Sequence, residues 1–122
     1  MKKTSNECVN MILKNGIVYV IYHKDNIDIS DAELIVRDLL KFCQGRVYPH
    51  LFDICKVKKM SKEARDYFAD AGNDLVSYGA LVVNSLVSKL IANVYISFNK
   101  PKKPTLTFTN EDHAIDWLKN TY

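Results

Sequence analysis

The C-terminal third of this chain constrains its fold more than any other stretch. Ala80-Leu-Val-Val83 is continuously apolar, and behind it Val87, Leu90, Ile91, Val94, Tyr95 and Phe98 recur at spacings of three and one. That spacing lays side chains along one stripe of an α-helix. A basic, proline-flanked connection comes next, Lys100-Pro-Lys-Lys-Pro104, and Thr105–Thr109 then alternates with period two. Asn110-Glu-Asp opens a last helix that runs to Asp116-Trp117-Leu118. Strand, helix, strand, helix in this order calls for an α/β layout with parallel pairing through crossovers.

The N-terminal half adds a hairpin. Residues 8–14 and 17–23 read as two strands joined by Asn15-Gly16, the pair that best tolerates the positive φ angles of a type I′ turn. Lys24–Ile29 reads as a loop. Ser30-Asp-Ala-Glu33 has the form of a capping box, in which a hydroxyl and a carboxylate satisfy orphan backbone N–H groups reciprocally. Ala32, Ile35, Val36, Leu39, Leu40 and Cys43 trace the apolar face of the helix behind it, and Gly45 suits a left-handed exit. A third strand is expected over Arg46–Ile54, with Pro49 making that end irregular or placing it at a sheet edge.

Cys55–Met60 is a basic loop, and Ser61 caps a helix whose stripe is Ala64, Phe68 and Ala71. Gly72-Asn73 breaks that helix, Asp74–Tyr78 reads as a short helical turn, and Gly79–Asn84 as a strand covered on both faces. The expected whole is one α/β domain over residues 1–122. It has a mixed sheet of four or five strands, an antiparallel hairpin first and parallel strands after it, with about four helices. Only the first few residues are expected to lack order.

Composition narrows the function classes. A chain of 122 residues, 48% hydrophobic and 25% charged, is ordinary for a soluble globular domain. No stretch approaches the roughly 20 apolar residues of a membrane helix, and no apolar run follows Met1-Lys-Lys as a secretory signal requires. Three cysteines, Cys8, Cys43 and Cys55, lack Cys-x-x-Cys spacing and suit a reducing compartment, so a cytoplasmic location is expected. The net charge of +3 is too mild to favour nucleic acid.

The four glycines all have turn or element-boundary uses, so no phosphate-cradling loop exists and no cofactor is expected. A zinc site built from these cysteines with His23, His50 or His113 lacks paired ligand spacing. His50, Asp53 and Cys55 could be drawn as a Cys/His/Asp nucleophile. Alternation, however, sends residues 50 and 53 to opposite faces of a regular strand. Asp53 is the residue of most interest, a carboxylate at the carboxyl end of a parallel strand, where α/β folds place functional groups. Its structural alternative is a cap on the following loop or a partner for Lys56 or Arg65. Trp117, Tyr95 and Phe98 read as core or interface aromatics by their spacing.

From Asp53 onward the chain resembles the small STAS/SEC14-type, or SpoIIAA-like, bacterial domains. The resemblance rests on Phe52-Asp53-Ile54, Ser61-Lys-Glu-Ala-Arg65, Ala80-Leu-Val-Val-Asn-Ser85, Lys89-Leu-Ile-Ala-Asn93, Lys100-Pro101, Pro104 and the ending Phe108–Leu118. It implies a β-α superhelix. In antagonists of this family a strand-ending Asp precedes an Asp-Ser pair whose Ser is phosphorylated. Asp53 matches the first element, Ser61 stands in place of the second Asp, and Lys62, which accepts no phosphate, stands at the Ser position. The expected role is a non-enzymatic interaction module that docks another protein through Asp53, Lys56, Lys58, Lys59, Ser61, Lys62 and Arg65. The alternative is a carrier of a small apolar or lipid-like ligand, which requires a sizeable cavity. A homodimer would cover the sheet edges.

Overall fold

The computed structural model describes residues 1–121. A six-stranded sheet runs through the molecule in the order β1 (Lys2–Ser5), β2 (Val9–Lys14), β3 (Ile17–Tyr22), β5 (Tyr48–Asp53), β7 (Val76–Val82), β8 (Thr105–Phe108). The first three strands are antiparallel, and from β3 to β8 each neighbour pairs in parallel. A separate two-stranded ribbon joins β4 (Asn26–Ile27) to β6 (Lys59–Met60). The helices are α1 (Ile29–Cys43), α2 (Lys62–Ala69), α3 (Leu86–Val94) and α4 (Glu111–Lys119).

Hairpin chemistry behaves as its sequence demands, with Asn15 at φ 53° and Gly16 at φ 77°. Two cores result, one on each face of the sheet. Val9, Met11, Val18, Val20, Tyr22 and Leu81 meet Ala32, Ile35, Leu39, Phe42 and Cys43 of α1, together with Ala64 of α2 and Ala92 of α3. On the opposite face Ile17, Leu51, Ala80 and Val82 meet Ala114 and Leu118 of α4, with Ile115 and Trp117 packed beside them. The asymmetry reflects the order of strands: three helices cross one face and a single helix returns over the other.

Several expectations need correction. The N-terminal residues form an ordered strand, making six strands rather than four or five. Every residue of β1 is exposed, so no alternation announces it; pairing with β2 holds it, aided by the Lys2 ammonium bound to the Phe42 carbonyl. The capping box of α1 is Asp28/Asp31 rather than Ser30/Glu33: Asp31 N–H donates to Asp28 Oδ1 at 3.0 Å and Asp28 N–H to Asp31 Oδ2 at 3.1 Å. Ser30 instead donates to the Asp28 carboxylate. Phe42 rather than Leu40 belongs to the buried stripe. Gln44 shares the left-handed exit with Gly45.

Pro49 lies inside a central strand, not at an edge. The register shifts between Tyr48 and His50, two residues of β5 spanning three of β7, and this bulge accommodates a residue with no N–H for the ladder. The expected helical turn at Asp74–Tyr78 is displaced to a 3-10 turn at Ala71–Asn73. β7 therefore begins at Val76, where it pairs with Tyr48.

Candidate functional site

The loop after β5 is built from an alternation of anchors and charges. Ile54 and Val57 are buried in the three-helix core, while Lys56, Lys58 and Lys59 are exposed. A turn closes over it, with Val57 N–H donating to the Ile54 carbonyl at 3.0 Å. The backbone then docks on the β4 strand: Lys58 and Lys59 N–H both donate to the Asp25 carbonyl, and Ser61 N–H to the Ile27 carbonyl. Two apolar pins and a mini-ribbon therefore fix the backbone from which three exposed lysines project.

The polar groups predicted for this surface are committed to holding it in shape. Asp53 accepts from Cys55 N–H at 3.0 Å, an Asx turn, and forms no ion pair with Lys56 or Arg65. Ser61 Oγ accepts from Ala64 N–H at 3.1 Å as the N-cap of α2. Arg65 donates to the Met60 carbonyl at 2.7 Å and to Asn99 Oδ1 at 3.0 Å, tying α2 to the end of α3. Lys62 pairs with Asp66 at 2.8 Å on the exposed side of α2, where solvent screening leaves the pair little weight. Asp53 shares the α4 face with Leu51, whereas α2 lies on the opposite face. The structure thus unites Lys56, Lys58, Lys59, Ser61, Lys62 and Arg65 along one segment and leaves Asp53 on the other side of the sheet end.

The thiol and imidazole groups sit apart as well. His50 is fully buried and Asp53 faces the other way, as strand alternation requires. The His50 Nδ1 donates to the Tyr48 carbonyl at 2.9 Å, which leaves Nε2 as the acceptor facing Cys43 Sγ at 3.8 Å. Burial depresses the imidazole to about 4, so it is neutral in the native protein. Cys55 donates to the Val82 carbonyl, and burial with the Asp53 carboxylate pushes its thiol up to about 12. Among the described residues no group of three or more His, Cys, Asp or Glu is placed to hold a metal ion.

Between the helices and the sheet lies an apolar cavity of about 50 Å³, lined by Tyr22, Phe52, Phe68, Leu81, Ile91 and Tyr95 among others. Pockets for small molecules run to roughly 300–1,000 Å³, so this one has room for a water-sized or methyl-sized guest.

A second surface runs against the sequence expectation. The stripe expected to bury Val87, Leu90 and Phe98 is turned outward instead: Leu86 is 85% exposed, Leu90 63% and Phe98 80%. The buried line of α3 is Ser88 and Ala92, with Ile91 and Tyr95 beside them. Phe98 leaves the core because Tyr95–Asn99 is a π turn, whose wider winding rotates the end of the helix outward. Asn99 fixes that turn by bonding Arg65 and Asp66. The expected aromatic cluster is accordingly split. Trp117 stacks edge-on with Tyr78 at 5.7 Å and packs on Phe108 under α4, while Tyr95 lies on the other face and accepts from Asn73.

Comparison with other proteins places the chain. The profile of the family described as "Domain of unknown function (DUF7793)" matches residues 11–122. The chain belongs to that family. Among solved structures, an uncharacterised DUF3478-family protein from Shewanella loihica PV-4 with a SpoIIAA-like fold superposes with a TM-score of 0.65. The two share 16% identity over 94% of this chain and 98% of that one. The fold of this DUF7793 domain is therefore SpoIIAA-like, as the resemblance implied. No protein of curated function matches it. No helix among the described residues is long and apolar enough to cross a membrane.

Proposed function

We propose that this DUF7793 domain is a non-enzymatic regulatory module of the cytoplasm that docks an acidic surface of another protein. One observation carries the reading: Ile54 and Val57 pin the loop from within so that Lys56, Lys58 and Lys59 project from it without acidic partners among the described residues. Lys62 extends the basic strip, and Ser61, Arg65 and Asp53 act as its scaffold through their hydrogen bonds to Ala64, Met60 and Cys55. A pre-ordered loop backbone loses less entropy on binding than a mobile one, and the clustered positive charge steers association by its field. A ligand-carrier role would require the 50 Å³ cavity to enlarge several-fold.

The test is affinity capture from the host lysate with quantitative mass spectrometry. A protein enriched on the wild-type chain should be lost on Lys56→Glu/Lys58→Glu/Lys59→Glu, retained on Leu86→Glu/Leu90→Glu, and released by raised salt. An identical set of captured proteins on both variants refutes the assignment. Retention of the wild type on heparin with no captured protein would move the strip to nucleic acid.

A further inference from the structure

The outer side of α3 has no cover among the described residues, and its chemistry is that of a contact surface. Leu86, Leu90 and Phe98 are largely exposed and Val87 is 46% exposed, whereas Leu106 of β8 points to the α4 side with its register partner Ala80. From Leu86 to Asn99 the only charged residue is Lys89. The side chains of Leu86, Val87, Leu90 and Phe98 present roughly 400 Å² of apolar surface, within the range of a monomer's largest patch. Beside the helix runs β8, which α3 contacts and which closes one end of the sheet.

The two sheet edges are treated differently. β1 carries Lys2 and Lys3, both exposed, and charge of this kind deters strand addition. β8 reads Thr-Leu-Thr-Phe without a charge. Pro104 and Phe108 carbonyls accept from Gly79 and Val83 of β7. In a parallel ladder the alternate residues, Thr105 and Thr107, therefore turn their N–H and C=O groups to the open side. An unprotected edge thus lies next to an unprotected apolar helix.

We propose that α3 and the free edge of β8 form a self-complementary face through which two copies of this chain pair. Antiparallel contact of β8 with its symmetry mate would continue the six strands into twelve and set α3 beside α3 of the second copy. The area agrees with this occupant. A stable interface takes about 800 Å² from each partner, some 55–65% of it apolar, which is close to the apolar surface exposed here. An anionic membrane is a poorer fit, because two of the lysines beside the face, Lys102 and Lys103, are engaged, leaving Lys89 and Lys100 as the exposed charges there. Lys102 bridges Asp70 and Asp74 at 3.0 Å each, and Lys103 donates to the Val76 carbonyl at 2.7 Å. A face nearly free of charge also meets its own copy without like-charge repulsion.

Sedimentation of the full chain from micromolar to hundreds of micromolar tests this. The wild type should reach twice its 14.0 kDa mass. Leu86→Glu/Leu90→Glu should weaken pairing by at least about 100-fold, since four carboxylates would be desolvated at one contact. Both residues are exposed, so the circular dichroism spectrum and Tm should stay as in the wild type. Lys2→Glu/Lys3→Glu at the other edge and Lys56→Glu/Lys58→Glu/Lys59→Glu should leave the dimer intact, which separates this face from the basic loop. A wild type that stays monomeric throughout, or a dimer indifferent to Leu86→Glu/Leu90→Glu, overturns the proposal. Monomers that float with phosphatidylglycerol-containing vesicles and lose this on Leu86→Glu/Leu90→Glu would assign the face to membranes instead.

Discussion

Acidification should destabilise this protein through one buried imidazole. His50 is sealed in the core, stacked on Phe52 with ring centroids 5.5 Å apart and facing the Cys43 thiol. Burial is the main cause of its depression from 6.5 to about 4; the Lys103 charge adds to it and the hydrogen bond to Tyr48 opposes it. Between those two values the unfolded chain holds a proton on this residue that the native protein does not. Stability therefore rises with pH across the interval and is lost as pH falls from 6.5 toward 4, at about 1.4 kcal/mol per unit. The cumulative loss is about 2 kcal/mol at pH 4.5 and about 3 kcal/mol below pH 4, a large share of a small domain's 5–15. Urea melts at half-unit steps from pH 7.5 to 4.5 measure this directly. In His50→Leu the same series should be flatter by that slope, even if the variant is less stable at pH 7 because the Tyr48 carbonyl loses a donor. Parallel pH profiles for the wild type and His50→Leu would refute the reasoning, since carboxylates would then carry the whole acid response.

Other outcomes rest on the same kinds of contact. Asp28→Ala should cost about 1 kcal/mol in urea melts by removing the true capping box of α1, whereas Ser30→Ala should fall within error. Gly79→Ala should raise Tm by a few degrees, about 0.5–1 kcal/mol, because its new methyl would meet Phe52 and Thr105 at 3.5 Å beside the cavity and its φ is not positive. Ellman's reagent at pH 8 should find no fast-reacting thiol in the native protein and three in denaturant. Cys8 and Cys43 are buried and raised to about 11, and Cys55 is pushed up to about 12.

How much of the fold the sequence discloses depends on how side chains report burial. The hairpin, α1, the parallel β5–β7–β8 sheet and α4 are legible because each leaves a periodic apolar trace: Val9/Met11 opposite Val18/Val20, Ile35/Leu39, Leu51, Ala80/Val82, Ala114/Leu118. β1 leaves none, since all four of its residues are exposed and it is held by backbone pairing and the Lys2–Phe42 contact. Asp28 is hidden as the cap because Ser30 and Glu33 satisfy the same spacing rule two residues later; only the extended backbone at Asp28, φ −103° and ψ −174°, distinguishes the two. Asp53 as a cap on the following loop and Ser61 as the N-cap of α2 are legible because their partners, Cys55 and Ala64, are near neighbours in the chain, whereas Arg65 reaches the distant Asn99. The α3 stripe shows the limit most clearly. Helical spacing says which side chains share a face, and Leu86, Leu90 and Phe98 do lie together, but it cannot say whether that face meets the sheet or open water. Ser88 and Ala92 take the inward line because small side chains let α3 approach the sheet closely, and the bulky ones are left outside. A face that is apolar by sequence and exposed in the fold is what the proposed pairing through α3 starts from, as the exposed lysines are for the proposed docking through the loop after β5.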